Sequence, residues 1–443
     1  MTNSQEKVLD LIDLGVRKLG TSKIAVTKIF DPNSCIRQDG SIIDFDTQLA
    51  IVTHFAMLQD DPLDIGHYST EAQKLMELWS SEDSIQKNNT DISSEALAMQ
   101  SYLFHDIFKA PFQCNENFDF KFIDLFAGIG GFRLALQSVG GKCVFSSEWD
   151  KQAQKTYFAN YGEVPFGDIT KAETKKYIPD NFDVLCAGFP CQPFSISGKQ
   201  KGFEDTRGTL FFDICEIIQE KQPKVVFLEN VKHLVHHDGG NTLRTILAKL
   251  DDLGYKVSWK VLNGSDFGVP QNRERIIIIG SKDKFFDFDK LIKKPKPVLA
   301  DFLDNEGDFE YLEESEYTLI ENPKKQPDSG LIFAGYRNKS IRKAGVRPGT
   351  EHLSRVHKQP NRIYSIDGIH PTLPSQETSG RFFILLHDGK VRKLTINECW
   401  RLMGFPDNFI KVSVVGQQYR QVGNSVCVKM IEEIAKEIKN QLL

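Results

Sequence analysis

Residues 120–136 read FKFIDLFAGIGGFRLAL. Phe120–Phe126 is a run of strand length, apolar but for Lys121 and Asp124. Ala127-Gly128-Ile129-Gly130-Gly131 is a turn, and Phe132, Leu134, Leu136 and Val139 mark the apolar face of a helix. Strand, glycine turn and helix open an α/β fold, in which a cofactor can approach the backbone at a helix start. A glycine-rich turn alone is weak evidence, because tight turns need glycine anyway. The dinucleotide fingerprint is absent, since Gly128-Ile129-Gly130-Gly131-Phe132-Arg133 lacks its third glycine.

The same unit repeats downstream. A second strand, Cys143–Ser147, ends in Glu148-Trp149-Asp150, and an acid there suits a ribose diol, whose two hydroxyls can both donate to one carboxylate. A third unit ends in Gly167-Asp168-Ile169, read as another acid at a strand end. The fourth is FDVLCAGFPCQPFS (182–195), a strand over Phe182–Ala187 and then a corner holding Cys191 between Pro190 and Pro193. Proline on either side restricts the backbone, so the thiol is aimed rather than loose. A polar loop with Gly198, Gly202 and Gly208 follows, of the kind that closes over substrates. A helix over Thr209–Glu220 leads to the strand Lys224–Leu228, ending in Glu229-Asn230-Val231. Cys191 and Glu229 should share one edge of a parallel sheet, as nucleophile and proton donor. Arg273 and Arg275 alternate into the strand Ile276–Gly280 and should point to one side, as a phosphate or base clamp.

Composition bounds the rest. The chain has 443 residues and a formal net charge of −5. Residues 1–120 hold nine Lys/Arg against nineteen Asp/Glu. They read as a mostly helical extension (1–118) with helices at Gln5–Leu19, after Thr70 and over Glu95–Phe108, and that acidity argues against a first role in gripping DNA. Residues 301–321 hold nine Asp/Glu and no Lys/Arg, whereas 331–362 hold eight Lys/Arg and one acid, Glu351. The basic block suits phosphate contacts. Helix–strand alternation covers 119–280 and fades over 281–370. It returns over 371–443, with a helix at Leu394–Met403 and Gly423-Asn424-Ser425-Val426 opening the last one. The eight cysteines are scattered, without a C-x-x-C pair, which fits a reducing cytoplasm rather than a disulfide scaffold. His233, His236 and His237 have no common zinc spacing, so no metal is expected. Neither an apolar run of membrane-spanning length nor a signal-peptide pattern is present.

Taken together, these segments resemble the DNA (cytosine-5) methyltransferase family over about 119–443. FIDLFAGIGGFRLAL resembles its first cofactor motif, GFPCQPFS its nucleophile motif, and Glu229-Asn230-Val231 its proton-donor motif. QNRERIIIIG, RKLTINECWRLMGFPD and QVGNSV are similar to later motifs, in the family's order. One motif would say little; six or more in register are specific. The likeness is strongest to the compact bacterial restriction–modification members, although 281–370 does not resemble the corresponding region of the member that reads GCGC.

The resemblance implies a doubly wound, Rossmann-like S-adenosylmethionine-dependent domain and a smaller target-recognition domain at 281–370. It implies transfer of a methyl group to C5 of a flipped cytosine in double-stranded DNA through a Cys191 adduct, with Glu229, Arg273 and Arg275 in the catalytic set. It places the cofactor against Phe126, Ala127, Gly128, Ile129, Gly130, Glu148, Trp149, Asp168, Ile169, Pro190, Leu210, Asn424 and Ser425. Gln192, Ser195, Ser197, Arg207, Arg337, Arg342, Arg347, Arg355, Lys358 and Arg362 are the expected DNA contacts. A bacterial cytoplasmic monomer is expected, with a cognate restriction endonuclease that acts on the same site without binding directly. An RNA methyltransferase, a catalytically silent DNA-binding regulator and a nicotinamide-dependent dehydrogenase are the rival readings.

Overall fold

The structure, a computed structural model, describes residues 43–58, 66, 68–80, 109–114, 117–190, 210–339, 349–350 and 352–443. Its centre is a six-stranded sheet built from β1 (Phe120–Leu125), β2 (Gly141–Ser147), β3 (Val184–Gly188), β4 (Val225–Val231), β5 (Lys256–Asn263) and β7 (Glu274–Ser281), in the order β2-β1-β3-β4-β7-β5. The two-residue β6 (Gln271–Asn272) lies just before β7. Strands β1 to β4 run parallel, while β7 is antiparallel to both β4 and β5. The amino end of β7 therefore lies at the edge where β1, β3 and β4 finish.

Why these runs are strands is visible in their burial. Ile123, Leu125, Leu185, Ala187, Val226, Leu228, Ile276 and Ile278 feed one apolar cluster. Their alternating neighbours Phe122, Val184, Cys186, Val225, Phe227, Ile277 and Ile279 feed the other. A sheet covered on both faces needs apolar residues at every position, so these strands lack polar alternation. The order also turns at β1, which pairs β2 on one side and β3 on the other. Outside the carboxyl ends of β1 and β3 lies the crevice where open α/β sheets bind ligands.

Helices α1 (Phe45–Leu58) and α2 (Ser69–Ser80) come from the extension. They are followed by α3 (Gly131–Gln137), α4 (Lys151–Tyr161), α5 (Ala172–Lys175), α6 (Leu210–Lys221) and α7 (Asn241–Asp252). The chain returns through α8 (Ile396–Leu402), α9 (Val415–Asn424) and α10 (Val428–Leu442). One face of the sheet carries α1, α2, α6 and α7, and the other carries α3 and α8 to α10, with α4 serving both.

Several details depart from the sequence reading. The described part of 1–118 is helical but not apart: Leu49, Ala50, Ile51, Val52 and Leu75 lie in the same apolar cluster as Leu125 and Phe166. The helices expected at Gln5–Leu19 and Glu95–Phe108 lie outside the described residues. No strand precedes Asp168; Phe166 makes a single parallel bridge to Ser147. Strand β5 was not anticipated, because its sequence KVSWKVLN is half polar. Asn424 ends α9 instead of opening the last helix, which starts at Val428.

The smaller domain holds a five-stranded sheet in the order β13-β12-β10-β9-β8. Its members are β8 (Tyr317–Leu319), β9 (Phe333–Arg337), β10 (Arg362–Ser365), β12 (Phe383–Leu385) and β13 (Val391–Lys393), while β11 (His370–Pro371) pairs with β6. Two of its strands therefore lie beyond residue 370. A buried Arg392–Glu398 pair (2.7 Å) joins it to α8.

Candidate active site

The turn after β1 is built by backbone geometry. Phe126 takes a left-handed φ of 58°, costly for a residue with a side chain, and Gly128 and Gly130 have φ of 57° and 83°. The two glycines answer different needs. A Cβ on Gly130 would sit 2.3 Å from the Tyr161 ring, whose hydroxyl donates to the Gly130 carbonyl at 2.6 Å. A Cβ on Gly128 would meet nothing within 4 Å, so this glycine faces open space. The Gly128 amide donates to Glu148 Oε2 (2.8 Å), and the Asp150 amide to Glu148 Oε1 (2.7 Å). Each oxygen keeps a second lone pair, so the carboxylate can still accept from a diol. Burial raises the Glu148 carboxyl to about 7, against the pull of those backbone donors. Next to it, Trp149 is 72% exposed, a flat indole at the mouth of the crevice.

Three further segments carry the remaining residues expected at the cofactor. Asp168 is half-buried, and its Oδ1 accepts from the Thr170 amide (3.0 Å) and hydroxyl (2.9 Å). Ile169 is buried, so its side chain belongs to the core. Pro190 is exposed and Leu210 half-buried. From the C-terminal return, a Cβ on Gly131 would touch Val426 (2.8 Å) and Ser425 Oγ (2.9 Å), and Asn424 beside them is exposed. An open glycine cradle, an acceptor carboxylate and an exposed indole fit a nucleoside-bearing cofactor. Asp124, buried beneath the turn, was not anticipated; its carboxyl is raised to about 8, chiefly by burial.

The acid expected as proton donor lies on β4, next to β3. Gly188 of β3 pairs in register with Glu229 of β4. Glu229 Oε1 meets Arg275 Nε at 2.9 Å, both side chains nearly buried. Burial raises the Glu229 pKa despite the opposing charges of Arg275 and Arg273. Asn230 Nδ2 donates to the Phe189 carbonyl (2.9 Å) and its Oδ1 accepts from the Val231 amide (2.8 Å). This link between β4 and the turn leading to Cys191 was not read from sequence, because an Asn after an acid carries no period. Arg273 makes different contacts from Arg275. It is buried, and its Nη2 donates to the carbonyls of Gly423 (3.0 Å) and Ser425 (2.5 Å), fastening the C-terminal return.

A model of the family described as C-5 cytosine-specific DNA methylase matches residues 120–440. The chain belongs to that family. It is a C5 cytosine DNA methyltransferase. It is 43% identical over 365 residues to type II methyltransferase M.HpaII of Haemophilus parainfluenzae, spanning 80% of this chain and 98% of that protein. It is 45% identical over 337 residues to M.HhaI of Haemophilus parahaemolyticus, spanning 73% and 95%. Among solved structures, the S. pombe Dnmt2 methyltransferase aligns over 73% of this chain and all of its own, at TM-score 0.52 and 20% identity, a likeness of fold.

In this methyltransferase, Cys191, Gln192, Ser195, Ser197, Arg207, Arg342 and Arg347 lie outside the described residues. Two of the remaining expected DNA contacts are engaged within the protein. Arg337 pairs with Glu316 (3.1 Å), and Arg362 donates twice to the His357 carbonyl (3.0 and 2.9 Å). Arg355 and Lys358 are exposed. His237 Nδ1 lies 2.7 Å from the Thr242 hydroxyl, and no metal-holding group of His, Cys, Asp and Glu occurs among the described residues. None of the described helices is long and apolar enough to cross a membrane.

Proposed function

We propose that this methyltransferase modifies one cytosine within a short sequence of double-stranded DNA, and that it is the modification half of a restriction–modification system. The near full-length similarity to enzymes named type II methyltransferases supports that reading. The Gly128 turn, Glu148, Trp149, Asp168 and Ser425 would hold S-adenosylmethionine, which would supply an electrophilic methyl group for C5.

The chain's own residues do the rest. The Cys191 thiolate adds to C6 of the cytosine, which breaks aromaticity and loads electron density onto C5. Glu229 holds a proton at N3 and neutralises the charge that develops there. Arg275 orients Glu229. Once C5 carries the methyl group, its proton passes to solvent, the electron pair it leaves re-forms the C5–C6 double bond, Cys191 departs as the thiolate and Glu229 takes back the N3 proton, so one hard step becomes two easier ones. The cytosine must leave the duplex to be reached. The observation that carries this reading is the in-register pairing of Gly188, three residues before Cys191, with Glu229, an acid whose pKa is raised.

The test is to incubate the protein with plasmid DNA and S-adenosylmethionine and map C5-methylated cytosines by sequencing. Methylation confined to one motif is expected, and Cys191→Ala should abolish it. Methylation of tRNA in preference to DNA would overturn the substrate, and an active Cys191→Ala would overturn the covalent step.

A further inference from the structure

The family match begins at residue 120, yet α1 is buried as deeply as any core element: Leu49, Ala50, Ile51, Val52, Thr53 and His54 are each at most 1% exposed. Its polar groups reach one stretch of the catalytic domain. Thr53 Oγ1 accepts from the Val164 amide at 3.0 Å. The His54 ring lies 4.7 Å from the Phe166 ring, which is itself stacked between Phe145 (5.1 Å) and Tyr177 (4.8 Å). Asp46 pairs with Lys151 (2.7 Å), the first residue of α4 and next to Asp150. The backbone of Phe166 accepts from the Glu148 amide at 2.8 Å, and Asp168 follows two residues later. Glu163 joins the same region to Arg133 of α3, the helix that continues the glycine turn.

We propose that α1 is a built-in support for the cofactor site, with Thr53, His54 and Asp46 as positioning residues that hold Glu148 and Asp168 in place. The proposal rests on the cofactor reading above. A Thr53 hydroxyl lost from Val164 loosens the Phe166 segment, and the two acids that meet the nucleoside lose their register with the glycine turn. Residues that only touch the cofactor side should alter its affinity and leave DNA binding and the chemical step alone.

The experiment uses the full chain and calorimetric titration with S-adenosylmethionine in the absence of DNA, with kcat and both KM values beside it. Thr53→Val is expected to weaken cofactor binding about fivefold, about 1 kcal/mol. It should raise the cofactor KM in parallel and leave kcat and the DNA KM unchanged, and Thr53→Ser should restore affinity. Unchanged cofactor affinity overturns the proposal, as does a parallel loss of all parameters that Thr53→Ser does not rescue. Should Thr53→Val fail to fold, Asp46→Asn decides: about twofold weaker cofactor binding supports the proposal, and wild-type affinity overturns it. A wild-type protein that binds no cofactor would instead sink the cofactor reading itself.

Discussion

Lowering the pH from 8 to 6 should weaken S-adenosylmethionine binding about tenfold through Glu148. Its carboxyl accepts from the Gly128 and Asp150 amides at 2.8 and 2.7 Å, and burial raises it to about 7. A diol donates to the ionised form. At pH 8 about nine-tenths of the protein carries that form, and at pH 6 about one-tenth, so the apparent dissociation constant scales with the inverse of that fraction. Folding of the free protein has the opposite sign. A carboxyl raised in the folded state contributes stability below its ordinary value of 4.5, which is lost as the pH rises through about 7. The loss is at most about 3 kcal/mol. The assay is calorimetry at pH 6, 7 and 8 on the wild type and Glu148→Gln. Affinity flat between pH 6 and 8, or the same slope in Glu148→Gln, would refute the reasoning.

Other outcomes follow from the same geometry. Glu229→Gln should keep its place beside Arg275 but lower the single-turnover rate about 10²–10⁴-fold, the usual worth of a positioned proton donor. Gly130→Ala drives a Cβ into the Tyr161 ring and strains a left-handed φ, so it should cost about 2–4 kcal/mol in denaturant unfolding. Gly128→Ala meets only the strain, about 1–2 kcal/mol, and should instead lose cofactor affinity. Asn230→Ala unties the turn before Cys191 and should lower kcat about 10–100-fold with little change in cofactor affinity. Arg355→Ala and Lys358→Ala should each flatten the salt dependence of DNA binding by about one unit in log–log slope.

The sheet was legible because it is covered on both faces. FKFIDL, DVLCAG and VVFLEN are mostly apolar runs of strand length, each leading into a turn, and each became a strand of the parallel part of the sheet. Glu229 was legible for the same reason, as an acid directly after such a run. Strand β5 hid because it is an edge strand with Trp259 and its lysines partly in solvent, so its pattern is mixed. The role of α1 hid because the polar residues Gln48, Thr53 and His54 are buried among its apolar ones, leaving no clear face to announce its partner, and Val164 is more than a hundred residues away in sequence. Arg273 and Arg275 looked equivalent at alternate positions. Arg273 precedes β7, however, where the return segment Gly423–Ser425 supplies carbonyls that no local pattern could foretell.

That return segment also sets a clock on synthesis. Gly131 rests on Val426 and Ser425, about three hundred residues downstream of the glycine turn, and Arg273 is fastened to the same loop. A nascent chain can pair β1 through β7 while the crevice still lacks one wall. Until residue 426 has cleared the ribosome, the glycine turn lacks the wall that Val426 and Ser425 supply. A frameshift between β7 and residue 425 would therefore remove that wall while leaving every strand of the central sheet as coded.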